Sequence, residues 1–286
     1  MAEKGIKLVE CPRDAMQGWT NFIPTDKKVR YINSLLQIGC DTIDFGSFVS
    51  PKAIPQMADT KEVLKGLVFD AHSSKLLAII ANVRGAEEAS AFREIAYLGY
   101  PFSVSETFQQ RNTNSSIDKS FNQVQEIQDI CLRSGKQLVI YISMGFGNPY
   151  SDPFSEEIVY GWVNKLVGLR IEIISLADTV GLATPEQVHS MTKYLVDHLP
   201  EIEIGVHLHS RPNNWKAKLE AAVNAGCRRF DGALKGLGGC PMANDDMVGN
   251  MDTELMIGYF KDKKLLNCLN EEALKKSLQI ASEIFV

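Results

Sequence analysis

The chain reads as an α/β protein folded as a TIM (β/α)8 barrel with a C-terminal helical extension, and three observations predict it. Eight short apolar runs alternate with longer segments of helical spacing over about 230 residues. Cap residues open several of the helical segments and glycines close several of them. No G-x-G-x-x-G or phosphate-binding loop follows an early strand, which disfavours the alternative, a doubly wound open sheet. The expected organisation is one domain over residues 1–286, with the barrel at about 5–250 and helices packed on it at about 251–286.

The candidate strands, in order, are Ile6–Cys11, Thr42–Phe45, Leu76–Val83, Phe102–Val104, Gln137–Ser143, Arg170–Ser175, Ile202–His209 and Arg228–Gly232. Between them, helical spacing covers Lys27–Ile38, Ala86–Tyr97, Ile117–Arg133, Ser155–Leu166, Pro185–Leu199 and Asn214–Ala225. Thr25, Ser155 and Thr184 stand as N-caps, the last before a Pro suited to a first turn. Gly39, Gly99, Gly135 and Gly226 stand as helix ends. Thr253–Tyr259 and Glu271–Phe285 read as the extension helices.

Composition narrows the function. Of 286 residues 45% are hydrophobic and 23% charged, enough for a substantial core. A net charge of −5 argues against gripping nucleic acid or an anionic membrane by bulk electrostatics. The start, Met1-Ala2-Glu3-Lys4-Gly5, has no apolar signal region, and no stretch approaches the roughly 20 apolar residues of a bilayer span. Six cysteines, at 11, 40, 131, 227, 240 and 268, form no C-x-x-C pair and suit reduced thiols. A cytoplasmic protein without membrane partner is the expectation.

A barrel carries its chemistry where strands give way to loops at their C-terminal ends. Polar residues fall there strand after strand: Arg13 and Asp14, Asp44 and Ser47, Asn82 and Arg84, Ser105 and Glu106, then Ser143, Asp178 and Thr179, His207 and His209, and Lys235 to Cys240. Strand alternation puts His207 and His209 on one face, able to meet one ion. For any single member, ordinary loop polarity explains the residue equally well; the series carries the reading.

The segment Leu8-Val9-Glu10-Cys11-Pro12-Arg13-Asp14-Ala15-Met16-Gln17 resembles the "E-x-x-P-R-D-G-x-Q" opening of the 3-hydroxy-3-methylglutaryl-CoA lyase family, within the metal-dependent barrel lyases and Claisen-type synthases. Ser47-Phe48-Val49-Ser50-Pro51-Lys52, Ser175-Leu176-Ala177-Asp178-Thr179-Val180-Gly181, Val206-His207-Leu208-His209 and Gly236-Leu237-Gly238-Gly239-Cys240-Pro241 with Gly249-Asn250 extend the resemblance, in order, to about residue 260.

The resemblance implies a divalent-metal carbon–carbon lyase that cleaves 3-hydroxy-3-methylglutaryl-CoA, or a close 3-hydroxyacyl-CoA, to acetyl-CoA and a keto acid such as acetoacetate. It carries metal ligation onto Asp14, His207, His209 and Asn250, a mixed oxygen and nitrogen set with open positions that suits Mg2+ or Mn2+, with Co2+ a further candidate. His207 is also carried over as catalytic. Arg13 would stabilise the enolate oxygen. Cys240, in a glycine-rich loop, would deliver a proton to the enolate carbon. Asp44 would act as acid or base, and Arg13, Gln17, Ser47, Ser143 and Thr179 would contact the substrate. Asp178 is a residue supporting the site's ligands, a proton relay or a plain loop anchor. A homodimer follows from family habit.

The departures bear on substrate. Asp44 stands where the family has Glu, and Ala15 where it has Gly. Gly18-Trp19 alters the pocket wall, and Ser210-Arg211-Pro212-Asn213-Asn214-Trp215 replaces the family's "D-T-Y-G-Q". The loop after Cys240 is one residue longer and carries Asp245-Asp246. A lyase of a different acyl-CoA, or a condensing transferase of the isopropylmalate or homocitrate synthase kind, is the alternative.

Overall fold

The strands pair in parallel and in sequence order: β1 (Lys7–Glu10), β2 (Thr42–Ser47), β3 (Lys75–Ile79), β4 (Ile95–Ser103), β5 (Gln137–Ser143), β6 (Ile173–Ala177), β7 (Glu203–His207) and β8 (Arg229–Gly232). Pairing of β8 with β1, Lys7 opposite Arg229 and Glu10 opposite Gly232, closes the barrel. This is a computed structural model, and it describes residues 5–70, 73–239, 248–266 and 269–286. Every residue of β2 and of β6 is buried, as expected of parallel strands enclosed on both faces.

The helices that wrap the barrel are α1 (Pro12–Gln17), α2 (Thr25–Leu35), α3 (Thr60–Lys65), α4 (Val83–Ser90), α5 (Glu106–Thr113), α6 (Ile117–Ser134), α7 (Glu156–Gly168), α8 (Pro185–His198) and α9 (Trp215–Asn224); α10 (Thr253–Asp262) and α11 (Glu271–Ile284) form the extension. Their starts are chemically specified. Ser155 Oγ accepts from the Ile158 amide, and Thr184 and Gln187 form a reciprocal capping box at α8. Gly135 ends α6 in the left-handed region at φ +66°, where a residue with a side chain would be strained. The extension is tied down rather than loose: Ser277 bonds Ser34 on α2 at 2.9 Å, and Phe285 meets Trp19 and Tyr31 edge-on.

The largest departure from the sequence reading is at β4. Helical spacing suggested a helix over Ala86–Tyr97 and a strand confined to Phe102–Val104, but α4 ends at Ser90 and β4 runs for nine residues from Ile95. The run Ile95-Ala96-Tyr97-Leu98 suits either period, and seven consecutive pairings with β5, from Tyr97 opposite Gln137 to Ser103 opposite Ser143, decide for strand. Gly99, expected as a helix end, lies mid-strand, where a Cβ would sit 2.6 Å from Ile79. The third strand ends at Ile79 rather than Val83, because Asn82 caps α4 through the Gly85 amide. Thr25 is the first residue of α2, not its cap; its hydroxyl donates to Asp59 instead. The helices α1, α3 and α5, of 6, 6 and 8 residues, are too short to show a period and were absent from the sequence reading.

Candidate active site

A cavity of about 430 Å3 opens at the C-terminal ends of the strands. Its polar floor begins where β1 passes through Cys11 into α1, with Pro12 in the first helical turn. That immediate switch from strand to helix turns Arg13 and Asp14 over the barrel mouth, both nearly buried. Arg13 donates from Nη1 to Asp14 Oδ1 at 2.8 Å, and from Nη2 and Nε to Asp44 Oδ2 at 2.5 and 3.0 Å. The guanidinium is therefore held between two carboxylates, which together outweigh its burial and raise its pKa well above the ordinary value. Burial pushes against the charged form of Asp14, but Arg13, the two imidazoles and the Asn250 amide hold its carboxyl at about 2.

The other side of the floor comes from β7 and the segment after β8. His207 ends β7, and its Nδ1 faces Asp231 Oδ2 at 3.4 Å. Burial works against a charged imidazole there, yet Asp231 and then Asp14 raise the His207 pKa above its ordinary value. His209, 3% exposed, is pushed down to about 3 by burial, then by His207, and so carries a free nitrogen lone pair. An antiparallel bridge brings Asn250 beside His209. Asn250 Nδ2 donates to Asp14 Oδ2 at 2.7 Å and to the Leu237 carbonyl, while its Oδ1 is buried without a partner among the described residues. Gly238, at φ +89°, lets the chain pass here: a Cβ would lie 2.7 Å from the Asp14 carbonyl and 2.8 Å from Asn250 Nδ2.

Ligand atoms of Asp14, His207 and His209 all lie within 4.8 Å of one another, close enough for one ion. A second set, Cys11, His207 and Asp231, meets the same distance but is set below the cavity, which neither Cys11 nor Asp231 lines. Burial raises the Cys11 thiol well above its ordinary value and keeps it protonated. An ionised carboxylate and two imidazoles within reach of one another, with Asn250 bonded to that carboxylate and its amide oxygen without a partner among the described residues, make a fitting donor set for a hard divalent cation at the first site.

The expected site residues divide. Arg13, Asp14, Gln17, Ser143, Thr179, His207 and His209 line the cavity, Gln17 through a 2.8 Å bond to Asp14 and Thr179 while accepting from the Met144 amide. Asp44 does not line it. Burial first, opposed by Arg13, pushes its carboxyl up to about 6, and its geometry makes it a clamp on Arg13. Ser47 is turned away, its hydroxyl taken by the Val49 amide. Asn82 and Ser105 are spent as helix caps, and Lys235 reaches Ser282 on α11. Asp178 anchors its loop: one oxygen accepts from the Ala183 amide and the other from Lys218. Cys240, Asp245 and Asp246 lie outside the described residues.

Glu10 is separated from Arg13 by one residue fewer than the "E-x-x-P-R-D" spacing, and strand alternation accordingly turns it outward. It accepts from the Leu234 amide and the Thr253 hydroxyl in the seam with α10. Asp231 and Lys218 escaped the sequence reading. Asp231 had a legible signal, since β8 alternation puts it level with His207. Lys218 had none, a lone lysine on a helix being normally solvated.

The HMGL-like family model matches residues 6–281. Among curated relatives, the mitochondrial hydroxymethylglutaryl-CoA lyase of Bos taurus is 34% identical over 258 residues, 89% of this chain and 78% of its own length. The cytoplasmic 3-hydroxy-3-methylglutaryl-CoA lyase of Homo sapiens is 33% identical, over 88% of this chain and 68% of its length. Among solved structures, the HMG-CoA lyase of Brucella melitensis superposes with a TM-score of 0.90 at 28% identity, covering 99% of both chains. An HMG-CoA lyase from Acinetobacter baumannii, in complex with coenzyme A and 3-methylmalate, gives 0.90 at 32% identity, covering 100% of this chain and 92% of that one. Together with the closed eight-stranded barrel and its polar mouth, these matches establish that the chain belongs to the HMGL-like family.

Proposed function

We propose that this chain is a carbon–carbon lyase that cleaves 3-hydroxy-3-methylglutaryl-CoA, or a close 3-hydroxyacyl-CoA, to acetyl-CoA and a keto acid such as acetoacetate. The observation that carries the reading is the convergence of Asp14, His207 and His209 at the cavity, with Asn250 bonded to Asp14 and its Oδ1 buried without a partner among the described residues. Support for the substrate class comes from relatives named for that reaction and from the A. baumannii enzyme's complex with coenzyme A.

Asp14, His207, His209 and Asn250 would hold Mg2+ or Mn2+. When bound, such an ion lowers the pKa of a substrate 3-hydroxyl and favours its deprotonation. The remaining work falls to the chain. Asp231 orients His207 by its Nδ1, leaving Nε2 for the site. Asp44 and Asp14 fix the Arg13 guanidinium so that it meets the developing enolate oxygen already positioned, with no reorganisation at the moment of cleavage. Ile79, Ile80, Pro101 and Tyr141 line the cavity with largely apolar surface, which would disfavour water beside the carbanion-like carbon. Cys240 is assigned the protonation of that carbon on the family resemblance, and Gln17, Ser143 and Thr179 the contacts to substrate oxygens.

The same proposal takes residues 1–286 as one barrel domain, a homodimer as the assembly and the cytoplasm as the setting. Among the described residues no helix is long and apolar enough to cross a membrane.

The decisive assay follows acetyl-CoA release from a panel of 3-hydroxyacyl-CoA thioesters with Mg2+ and Mn2+. Release from the methylglutaryl thioester that EDTA abolishes is expected. Inactivity on that compound with turnover of another moves the substrate, and thiol release from acetyl-CoA with 2-oxo acids instead overturns the lyase reading.

A further inference from the structure

Lys218 lies on the inward face of α9 beside Leu219 and Ala222 and is 1% exposed. A lysine so enclosed keeps its charge only if its ammonium protons are all accepted. Here they are. Nζ donates to Asp178 Oδ2 at 2.7 Å, to the His209 carbonyl at 2.9 Å and to the Gly181 carbonyl at 3.3 Å. Asp178 spends its other oxygen on the Ala183 amide, and its own amide donates to the His207 carbonyl. One buried ion pair therefore ties three pieces of chain: α9, the loop from Asp178 to Ala183 that carries Thr179, and the end of β7.

The opposite flank of that end is also fixed. The Ser210 amide donates to the Gly249 carbonyl and the Met251 amide to the Leu208 carbonyl, which sets Asn250 beside His209. His209 thus sits between two supports, one that delivers Asn250 and one that ends at Lys218. A cation placed one residue's breadth from a cation site repels the ion unless a carboxylate neutralises it, and Asp178 does so. The cost of enclosing such a pair is warranted by geometry rather than by stability, since buried pairs seldom outperform apolar packing.

We propose that the Lys218–Asp178 pair is a positioning strut that sets the His209 backbone, and with it the imidazole, for uptake of a divalent cation. The proposal rests on the reading of Asp14, His207, His209 and Asn250 as the cation site. It assigns Lys218 no contact with substrate.

The test titrates Mn2+ into the folded chain and reads free Mn2+ by electron paramagnetic resonance, with thermal melting in EDTA alongside. Lys218→Met should weaken Mn2+ binding about 10- to 100-fold, the range for groups that orient metal ligands. Because that variant leaves Asp178 buried and unpaired, the double variant Lys218→Met, Asp178→Asn is made as well. It removes both charges, and it should melt closer to the parent yet keep the weakened Mn2+ affinity. Mn2+ affinity within twofold of the parent in the double variant, whatever its melting temperature, overturns the strut. A parent that takes up no Mn2+ overturns the cation site itself, and the strut with it.

Discussion

At the N-terminal end of the barrel interior, Lys7, Lys75 and Arg229 gather around Glu203 and Asp41; at the C-terminal end, Asp14, Asp44 and Asp231 gather with two imidazoles around Arg13. The lower set makes its own pairs. Glu203 bridges Lys7 at 2.5 Å and Arg229 at 3.2 Å, and Lys75 donates to the Tyr97 hydroxyl. What it leaves buried and without a partner among the described residues are donors, Nε and Nη2 of Arg229. The upper end leaves acceptors, Oδ1 of Asn250 and of Asp231, without a partner among the described residues. Each unpartnered buried group costs about 1–3 kcal/mol, so the two ends store opposite demands. The proposed cation would answer the Asn250 part of the upper demand. The lower end closes the barrel beneath, where Gly205 gives Arg229 room to lie across β7.

Making the same chemical change at both ends is the strongest way to break this comparison. Asp14→Asn removes the one ionised group of the proposed ligand set and one of the two carboxylates that hold Arg13, so kcat/KM should fall by about 10^3-fold or more, equivalent to roughly 4 kcal/mol of barrier. Glu203→Gln should leave kcat/KM within twofold. It should instead lower folding stability by about 1–2 kcal/mol, less than for a fully enclosed pair because Lys7 and Glu203 are partly solvated. Steady-state kinetics and urea melts on both variants decide it. Equal catalytic losses at the two ends would remove the distinction.

The sequence makes the upper end far more legible than the lower. Arg13, Asp14, His207 and His209 each lie at or just beyond the C-terminal end of a strand, and strand parity alone puts the two histidines on one face. Eight apolar runs with their caps suffice for the barrel order. Boundaries fail where a run suits two periods, as at Ile95–Leu98, since only pairing with β5 settles it. Roles fail where a polar group is consumed by its own backbone, as with Ser47, Asn82 and Ser105. Asp44 has the residue type and strand position of a catalytic acid, and only the three-dimensional contact shows it gripping Arg13. Lys218 and Arg229 could not be read at all: long cations are ordinarily solvated, and nothing local marks these two as enclosed.

Glu10 sharpens the contrast, because it is a carboxyl at the same height as the upper set but on the outer face of the barrel. Burial pushes it up to about 8, the largest influence, against the opposing hydrogen bonds from Thr253 and Leu234. The folded chain therefore keeps a proton that the unfolded chain releases near 4.5, so Glu10's contribution to stability is present at low pH and is lost as pH rises towards 8. Asp44, raised to about 6, acts in the same direction, and His209, lowered to about 3, acts in the opposite one until its unfolded value of 6.5 is passed. The interval from 6.5 to 8 isolates Glu10 as the difference between parent and variant. Melts there should show the parent losing about 2 kcal/mol relative to Glu10→Gln, following the unit-by-unit linkage of 1.36 kcal/mol. Parallel pH profiles for the two chains would mean that Glu10 is ionised in the seam.

The smallest effect is expected at Thr184, and it probes the loop from Asp178 to Ala183 from its other end. That loop carries Thr179 into the cavity, is tied to His209 through Lys218, and passes directly into the capping box of α8. Thr184→Ala removes the hydroxyl that accepts from the Gln187 amide and should cost about 1 kcal/mol of stability. The Gln187 side chain still holds the Thr184 amide at 2.9 Å, so the helix start keeps its direction. If the loop is positioned from the barrel side, turnover should change by less than twofold while the melt shifts. A tenfold loss of turnover with that small shift would instead place control of Thr179 in the helix cap, and the supports of the cavity would extend outward to α8.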